Sequence, residues 1–169
     1  MGKRLLALLV LALLPLGACT AADELPAGTA PLDPIAFFTG ASSGTATLRP
    51  VVGKASPVRV ESEGTPTPDG LRLVQRITEG TKKPRTRLWI IQRTPGGYVS
   101  TLTDAKGPVS VTVRGPRAFI GYVTPGGMRI EQELALQPDG RTILNRLKAY
   151  RFGVRLATLD ETIVKAVAK

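Results

Sequence analysis

The chain contains no histidine and only one cysteine among its 169 residues. The absence of histidine excludes a Ser-His-Asp triad and a Cys-His pair, and it removes the commonest metal ligand. A single thiol cannot form a disulfide within the chain, and it cannot contribute to a Cys/His zinc site. We therefore expect no metal and no other cofactor. Any catalysis would have to rest on carboxylates, lysine, serine or tyrosine.

Long apolar runs are nearly absent as well, and the one that stands out is Leu5–Leu14. It follows Lys3-Arg4 and precedes Leu16-Gly17-Ala18-Cys19, so it has the basic start, apolar middle and small-residue end of an export signal. It is shorter than the roughly 20 residues that a transmembrane helix needs. A cysteine directly after Leu-Gly-Ala resembles the lipobox of bacterial lipoproteins. That resemblance implies cleavage before Cys19 and attachment of lipid to its sulfur.

The lipobox divides the chain into three predicted parts. Residues 1–18 are the signal peptide, residues 19–34 are a lipidated flexible tether rich in proline and small residues, and residues 35–169 are one folded domain. In bacterial lipoproteins an aspartate after the acylated cysteine favours retention in the inner membrane, and here that residue is Thr20. We therefore expect a lipid-anchored protein of the cell envelope, in the periplasmic leaflet of the outer membrane.

Acidic residues are scarce relative to basic ones, 13 against 23, which gives a formal charge of +10. This excess favours contact with anionic lipid surfaces. The basic hairpin tip Thr81–Arg87 is the best candidate for such contact, although a simple solvated turn has the same composition. Nucleic acid is not an expected partner, because the chain carries an export signal and has no RNP-like or zinc-finger motif.

From residue 35 onward, short runs of alternating polarity are separated by glycine, proline and aspartate. Pro95-Gly96-Gly97, Pro125-Gly126-Gly127 and Pro138-Asp139-Gly140 are typical turns, because proline presets φ and glycine tolerates positive φ. The predicted strands are 44–50, 57–63, 71–79, 85–93, 98–104, 109–114, 118–123, 128–137, 142–151 and 154–164. Evenly spaced short strands with short reversals predict an all-β fold, an up-and-down antiparallel β-barrel of about 8–10 strands.

Several polar or aromatic side chains fall on strand faces that are otherwise apolar. Gln75 lies among Leu71, Leu73 and Ile77, while Gln132 alternates with Ile130 and Leu134. A buried amide must find a partner, either in the surrounding protein or in the polar end of a ligand. The candidate ligand-binding residues are Trp89, Gln75, Gln132 and Asn145.

Other side chains are expected to be structural or solvent-exposed. Phe37 and Phe38 are predicted to plug one end of the barrel. The paired carboxylates Glu131 and Glu133 share a strand face with Arg129, so we expect them in solvent and not in a catalytic cleft.

An ordered set of short motifs runs through the predicted domain. They are Phe37-Phe38-Thr39-Gly40, Arg87-Leu88-Trp89-Ile90-Ile91, Asp104-Ala105-Lys106-Gly107, Asp139-Gly140-Arg141-Thr142-Ile143-Leu144-Asn145-Arg146 and Phe152-Gly153. In this order, after a lipobox, they resemble the DUF3833 family of uncharacterised Gram-negative lipoproteins. The resemblance covers residues 35–165 and implies a lipocalin-like β-barrel.

Three functions are compatible with these features. The first is an envelope lipoprotein that binds or transfers an apolar or acyl-chain ligand inside the barrel. The alternative is a structural or assembly lipoprotein with a filled barrel and a protein partner. The third, which is the least favoured, is a lipid-modifying enzyme that would use Tyr98, Tyr122 or Tyr150.

Overall fold

The fold is a single antiparallel sheet of ten strands, as a computed structural model shows for residues 24–167. The elements are α1 (Pro34–Phe38), β1 (Gly40–Pro50), β2 (Ser56–Thr67), β3 (Gly70–Glu79), β4 (Arg85–Thr94), β5 (Gly97–Leu102), β6 (Ser110–Arg114), β7 (Arg117–Val123), β8 (Arg129–Leu136), β9 (Thr142–Arg151) and β10 (Val154–Lys165). The order in the sheet is β5-β4-β3-β2-β1-β10-β9-β8-β7-β6. Each pair of sequence neighbours except β5 and β6 forms a regular ladder, so the predicted up-and-down architecture is confirmed.

The sheet curls until its edges nearly meet. β1 pairs with β10, so that the beginning and end of the domain lie side by side. The two edge strands, β5 and β6, touch through a single bridge between Ser100 and Val109. The result is a nearly closed barrel with one weak seam.

All ten predicted strands are present, and most of their bounds agree with the prediction within about three residues. The predicted end of the second strand at residue 63 is wrong, because β2 runs on to Thr67 and only Pro68 and Asp69 form the turn. β1 begins at Gly40, opposite Gly64, so Pro66 lies where β2 has a strand neighbour on one side only. Proline is tolerated at such edge positions, since its missing N–H leaves no ladder bond unmade.

The five-residue helix α1 closes one end of the barrel. The Asp33 side chain accepts hydrogen bonds from the backbone of Ile35 and Ala36 at 3.0 and 3.3 Å, which caps the first turn. At the other end of α1, Lys165 Nζ donates to the carbonyls of Ala36, Phe37 and Thr39 at 2.7–2.9 Å. Phe37 and Phe38 are both buried, as the predicted plug requires. We call this the closed end, and the opposite mouth the open end.

The segment before α1 is packed on the barrel. Leu25 and Leu32 are buried, and the backbone of Gly28 and Leu32 donates to the carbonyls of Leu136 and Gly115. The expected flexibility of residues 19–34 is therefore corrected for residues 24–33, because two leucines and four hydrogen-bonded contacts hold this part on the wall. Cys19 and the signal peptide lie outside the described residues. Within residues 24–167, no helix has the length and hydropathy needed to cross a membrane.

Candidate functional site

The four candidate ligand-binding residues surround one cavity inside the barrel. Gln75 comes from β3, Trp89 from β4, Gln132 from β8 and Asn145 from β9, and all four are buried. The cavity has a volume of about 50 Å³. Its apolar walls include Phe38, Leu73, Ile91, Leu134 and Ile163. Strand alternation is what brings these residues together, since each occupies an inward position of its strand.

Gln75 is hydrogen-bonded at both ends of its amide. Its Oε1 accepts from Trp89 Nε1 at 2.8 Å and from Arg87 Nε at 2.8 Å. Its Nε2 donates to Ser62 Oγ at 3.0 Å. The amide thus satisfies the indole N–H of the only tryptophan and fixes the guanidinium of Arg87 against the cavity wall.

Asn145 pairs with a buried carboxylate on the next strand. Its Nδ2 donates to Glu161 Oε2 at 2.7 Å. Glu161 is only 8% exposed, and it occupies the space over Gly44, where a Cβ atom would stand 1.9 Å from its Oε1. Burial raises the pKa of Glu161, while the hydrogen bond from Asn145 and the charge of Arg87 act in the opposite direction.

Two amide oxygens in the cavity wall have no hydrogen-bond partner among the described residues. They are Gln132 Oε1 and Asn145 Oδ1. Buried polar atoms in native proteins are nearly always satisfied, by protein, by water or by a ligand. These two oxygens are therefore available to accept hydrogen bonds from a water molecule or from a bound ligand.

One of the three tyrosines lies inside the barrel. Tyr122 is buried, its ring centroid is 6.3 Å from that of Trp89, and burial raises its pKa while Arg87 opposes this shift. Burial also lowers the pKa of Arg87, which lies partly buried over the Trp89 ring. Tyr98 bonds to Arg93 and Asp33 near the closed end, and Tyr150 stacks with Arg129. The three do not converge.

Sequence reasoning missed Glu161 and Arg87 as parts of this site. The signal for Glu161 was present, since β10 places Leu159, Glu161 and Ile163 on one face. The composition of residues 81–87 predicts Arg87 in the basic hairpin tip, whereas its side chain lines the cavity. The sequence also contains a Gly-x-Ser-x-Gly pattern, Gly40-Ala41-Ser42-Ser43-Gly44. It lies along β1 and not in a strand-to-helix elbow, and the chain has no histidine to act as base.

The paired carboxylates lie on the outer face of β8, but only Glu131 is in solvent as expected, because Arg117 and the backbone of Leu25 cover Glu133. Glu131 forms an ion pair with Arg129, and Glu133 with Arg117. Both line an open depression of about 450 Å³ on the outer wall, over Gly121. Among the described residues, no cluster of three or more acidic side chains forms a metal-binding arrangement.

Replacing Glu161 by glutamine should stabilise the protein at neutral pH by about 1 kcal/mol. Because the folded-state pKa of Glu161 is raised, its contribution to stability is complete at acidic pH and is lost as the pH rises through that pKa. A glutamine does not titrate and still accepts from Asn145. The gain in unfolding free energy should therefore shrink toward zero as the pH falls.

The measurement is chemical denaturation of the wild type and of the Glu161→Gln variant, from neutral to acidic pH. Glu63→Gln is the matched control, because Glu63 is exposed on the outer face of β2. A variant less stable than the wild type at neutral pH would mean that Arg87 holds Glu161 as a stabilised anion.

Comparisons with known proteins support the fold alone. No protein-family model matches the sequence, and no curated protein matches it. Among solved structures, a DUF3598-family protein of unknown function from Nostoc punctiforme superposes with a TM-score of 0.57 at 14% identity. The match covers 80% of this chain and 50% of that protein, so the chain spans about half of its length. Membership of the DUF3833 family stays a prediction, since no family model matches.

Proposed function

We propose that the barrel binds one small amphipathic molecule, whose polar group is held by the amides and the carboxylate of the inner cavity. The observation that carries this proposal is the pair of unsatisfied acceptors, Gln132 Oε1 and Asn145 Oδ1, beside the buried Glu161. A barrel that served only as a solid scaffold would be expected to fill this space with apolar side chains. The acceptors call for a ligand end that donates hydrogen bonds, such as a hydroxyl or an amine.

The volume of the cavity limits how the ligand is held. About 50 Å³ accommodates a few water molecules or a small polar group, whereas ordinary ligand pockets measure roughly 300–1,000 Å³. An acyl chain enters only if the wall moves. The β5–β6 seam, held by one bridge, is the part of the wall with the fewest ladder hydrogen bonds to break.

Trp89 gives a direct test, because it is the only tryptophan and it lines the cavity. Titration with a fluorescent fatty alcohol or fatty amine should quench Trp89 by energy transfer at a stoichiometry of one per protein. Gln132→Leu should weaken binding about tenfold, the effect of losing one hydrogen bond to a buried partner. Gln92→Leu is the control, since Gln92 is exposed on the same strand as Trp89.

Native mass spectrometry of protein purified from membranes supplies the second measurement. A co-purifying molecule that is retained by the Gln92→Leu variant and lost from the Gln132→Leu variant would support the proposal. Protein that carries no small molecule, and that transfers no energy to either probe, would contradict it.

The small cavity also favours a second candidate, a filled barrel that binds a protein partner on its outer surface. This candidate places the partner on the depression over Gly121, which is flanked by acidic and basic side chains. Crosslinking in cells through a photoreactive residue at Phe119, which lines this depression, would recover one defined partner if this candidate is correct.

The lipid anchor on Cys19 and the position in the outer membrane are predictions from the sequence and form part of this proposal. Cys19 lies five positions before Glu24, where the described chain begins. Such a stretch spans at most about 17 Å when fully extended. An anchored barrel would therefore stay close to the bilayer surface.

A further inference from the structure

The open end of the barrel is built from five connections between strands. We define the open rim as residues 51–55, 79–85, 103–109, 124–128 and 151–156. The up-and-down topology sends every second connection to this end, while α1 covers the other. The open rim and the closed end are therefore two sets of turns in the same barrel, and their exposed side chains and charges can be compared directly.

Exposed apolar side chains are concentrated on the open rim. Phe152 is 92% exposed and Val52 is 88% exposed, and Val51 and Val154 are 66% and 61% exposed. At the closed end, Val167 is the one large apolar side chain of the described residues with comparable exposure, at 70%. They come from two neighbouring connections, since β1 pairs with β10 and the Val51 N–H donates to the Leu156 carbonyl at 2.8 Å. The four side chains therefore belong to one protruding part of the rim.

Phe152 is also held in an unfavourable backbone conformation. With φ at 51°, it is the only described residue other than glycine in the left-handed region, and Gly153 follows at 79°. A two-residue hairpin of this kind normally carries asparagine before the glycine. A phenylalanine that is strained and almost fully exposed contributes nothing to packing, so its placement indicates a role outside the barrel.

The open rim is predominantly basic. It contains seven basic residues and two acidic ones. The basic residues are Lys54, Lys82, Lys83, Arg85, Lys106, Arg151 and Arg155. Both acidic residues are paired, Glu79 with Lys82 at 2.6 Å and Asp104 with Arg85 at 2.5 Å. At the closed end, residues 31–39, 64–70, 93–97, 114–117, 137–141 and 165–167 hold five basic and three acidic residues.

We infer that the open rim docks on a membrane surface that contains anionic phospholipid, with Phe152 and the valines inserted and the basic side chains on the headgroups. Apolar tips surrounded by lysine and arginine are the composition of interfacial membrane-binding surfaces. The Arg151 guanidinium lies 5.3 Å from the centroid of the Phe152 ring. One hairpin therefore carries both an apolar side chain for insertion and a basic side chain for the headgroups. A second copy of the chain is a poor partner, because two rims of like charge repel each other. This inference does not depend on the ligand proposed for the cavity.

The Phe152→Asn substitution tests membrane docking without lowering the stability of the fold. Asparagine relieves the strain in the hairpin, so the variant should unfold at the same or a higher temperature than the wild type. Combined with Val52→Ser, it should bind vesicles of phosphatidylcholine and phosphatidylglycerol about tenfold more weakly. The matched control is Val99→Ser with Val164→Ser, two exposed apolar positions on the outer wall away from the rim. All variants keep the full N-terminal segment, so its contribution cancels in the comparison.

A depth measurement completes the test. Cys19→Ser leaves no other thiol, so a single environment-sensitive fluorophore can be attached at Phe152→Cys or, as control, at Val99→Cys. Anionic vesicles should shift the emission of the Phe152 label to shorter wavelength and leave the Val99 label unchanged. Salt, or vesicles of phosphatidylcholine alone, should reduce the shift.

Three outcomes would overturn the inference. One is equal binding by the Phe152→Asn, Val52→Ser protein and its control. Another is an equal response of the two labels. The third is binding that follows the charge of any polyanion, including RNA, with no need for the apolar tips. Loss of fatty alcohol or fatty amine binding at Trp89 would affect only the proposed cavity function, since the vesicle assay reads the rim.

Discussion

Gly64→Ala should destabilise the barrel by about 3 kcal/mol or more, because the added methyl group would collide with the helix that closes the barrel. A Cβ atom at Gly64 would stand 1.8 Å from the carbonyl oxygen of Phe38 and 3.2 Å from Leu71 Cδ1. The obstacle is backbone at the end of α1, and α1 is fixed by Asp33 at one end and Lys165 at the other. Relief would require α1 to move away from β2 and uncover Phe37 and Phe38.

The measurement is denaturant-induced unfolding, with Gly96→Ala as the control. Gly96 has no positive φ, and no atom lies within 4 Å of its ideal Cβ position. Both substitutions change the unfolded chain in the same way, so their difference reports the folded state. A loss for Gly64→Ala no larger than that for Gly96→Ala would mean that α1 is not held tightly against β2.

The strands were predictable because each one is specified by a local pattern. Val109, Val111 and Val113 alternate with polar residues, and β6 and its neighbouring loop place them toward the interior. Turns such as Pro138-Asp139-Gly140 carry their own conformational preference, and Gly140 does adopt a positive φ. Ten such patterns in succession leave few arrangements other than an up-and-down barrel.

The parts that escaped prediction depend on contacts between distant residues. α1 is only five residues long, too short for a helical period to be visible, and its last carbonyls are capped by Lys165 from the far end of the domain. The burial of Glu161 requires a glycine at position 44 on the strand beside it. Strand register between β1 and β10 cannot be read from either strand alone.

The composition of the cavity was also only partly predictable, because it too depends on contacts between distant residues. The sequence placed Gln75, Trp89, Gln132 and Asn145 on inward faces, and all four are found there. It did not show that Arg87 and Glu161 join them, because charged residues usually face solvent and the alternating pattern of a single strand is too weak to mark these two as exceptions. The polar interior is thus a cooperative arrangement, in which a single amide connects tryptophan, arginine and serine.

Gln75→Leu should destabilise the protein by about 3 kcal/mol, because leucine has a similar size but cannot accept or donate hydrogen bonds. The substitution leaves Trp89 Nε1 and Arg87 Nε without their acceptor and Ser62 Oγ without its donor. Removing one partner from a buried network costs more than the hydrogen bond contributes, since the remaining groups stay desolvated. Trp89 emission should shift to shorter wavelength, because its N–H loses a polar neighbour.

Two variants define the origin of that loss. Gln92→Leu, at an exposed position, should change the unfolding free energy by less than about 0.5 kcal/mol. Gln75→Glu keeps an oxygen acceptor for Trp89 and Arg87 and places a carboxylate beside the guanidinium, so it should lose less stability than Gln75→Leu and restore the Trp89 emission. If Gln75→Leu were as stable as the wild type with unchanged Trp89 emission, the amide would not be holding Trp89 and Arg87 in place. The polar wall of the cavity would then form without it.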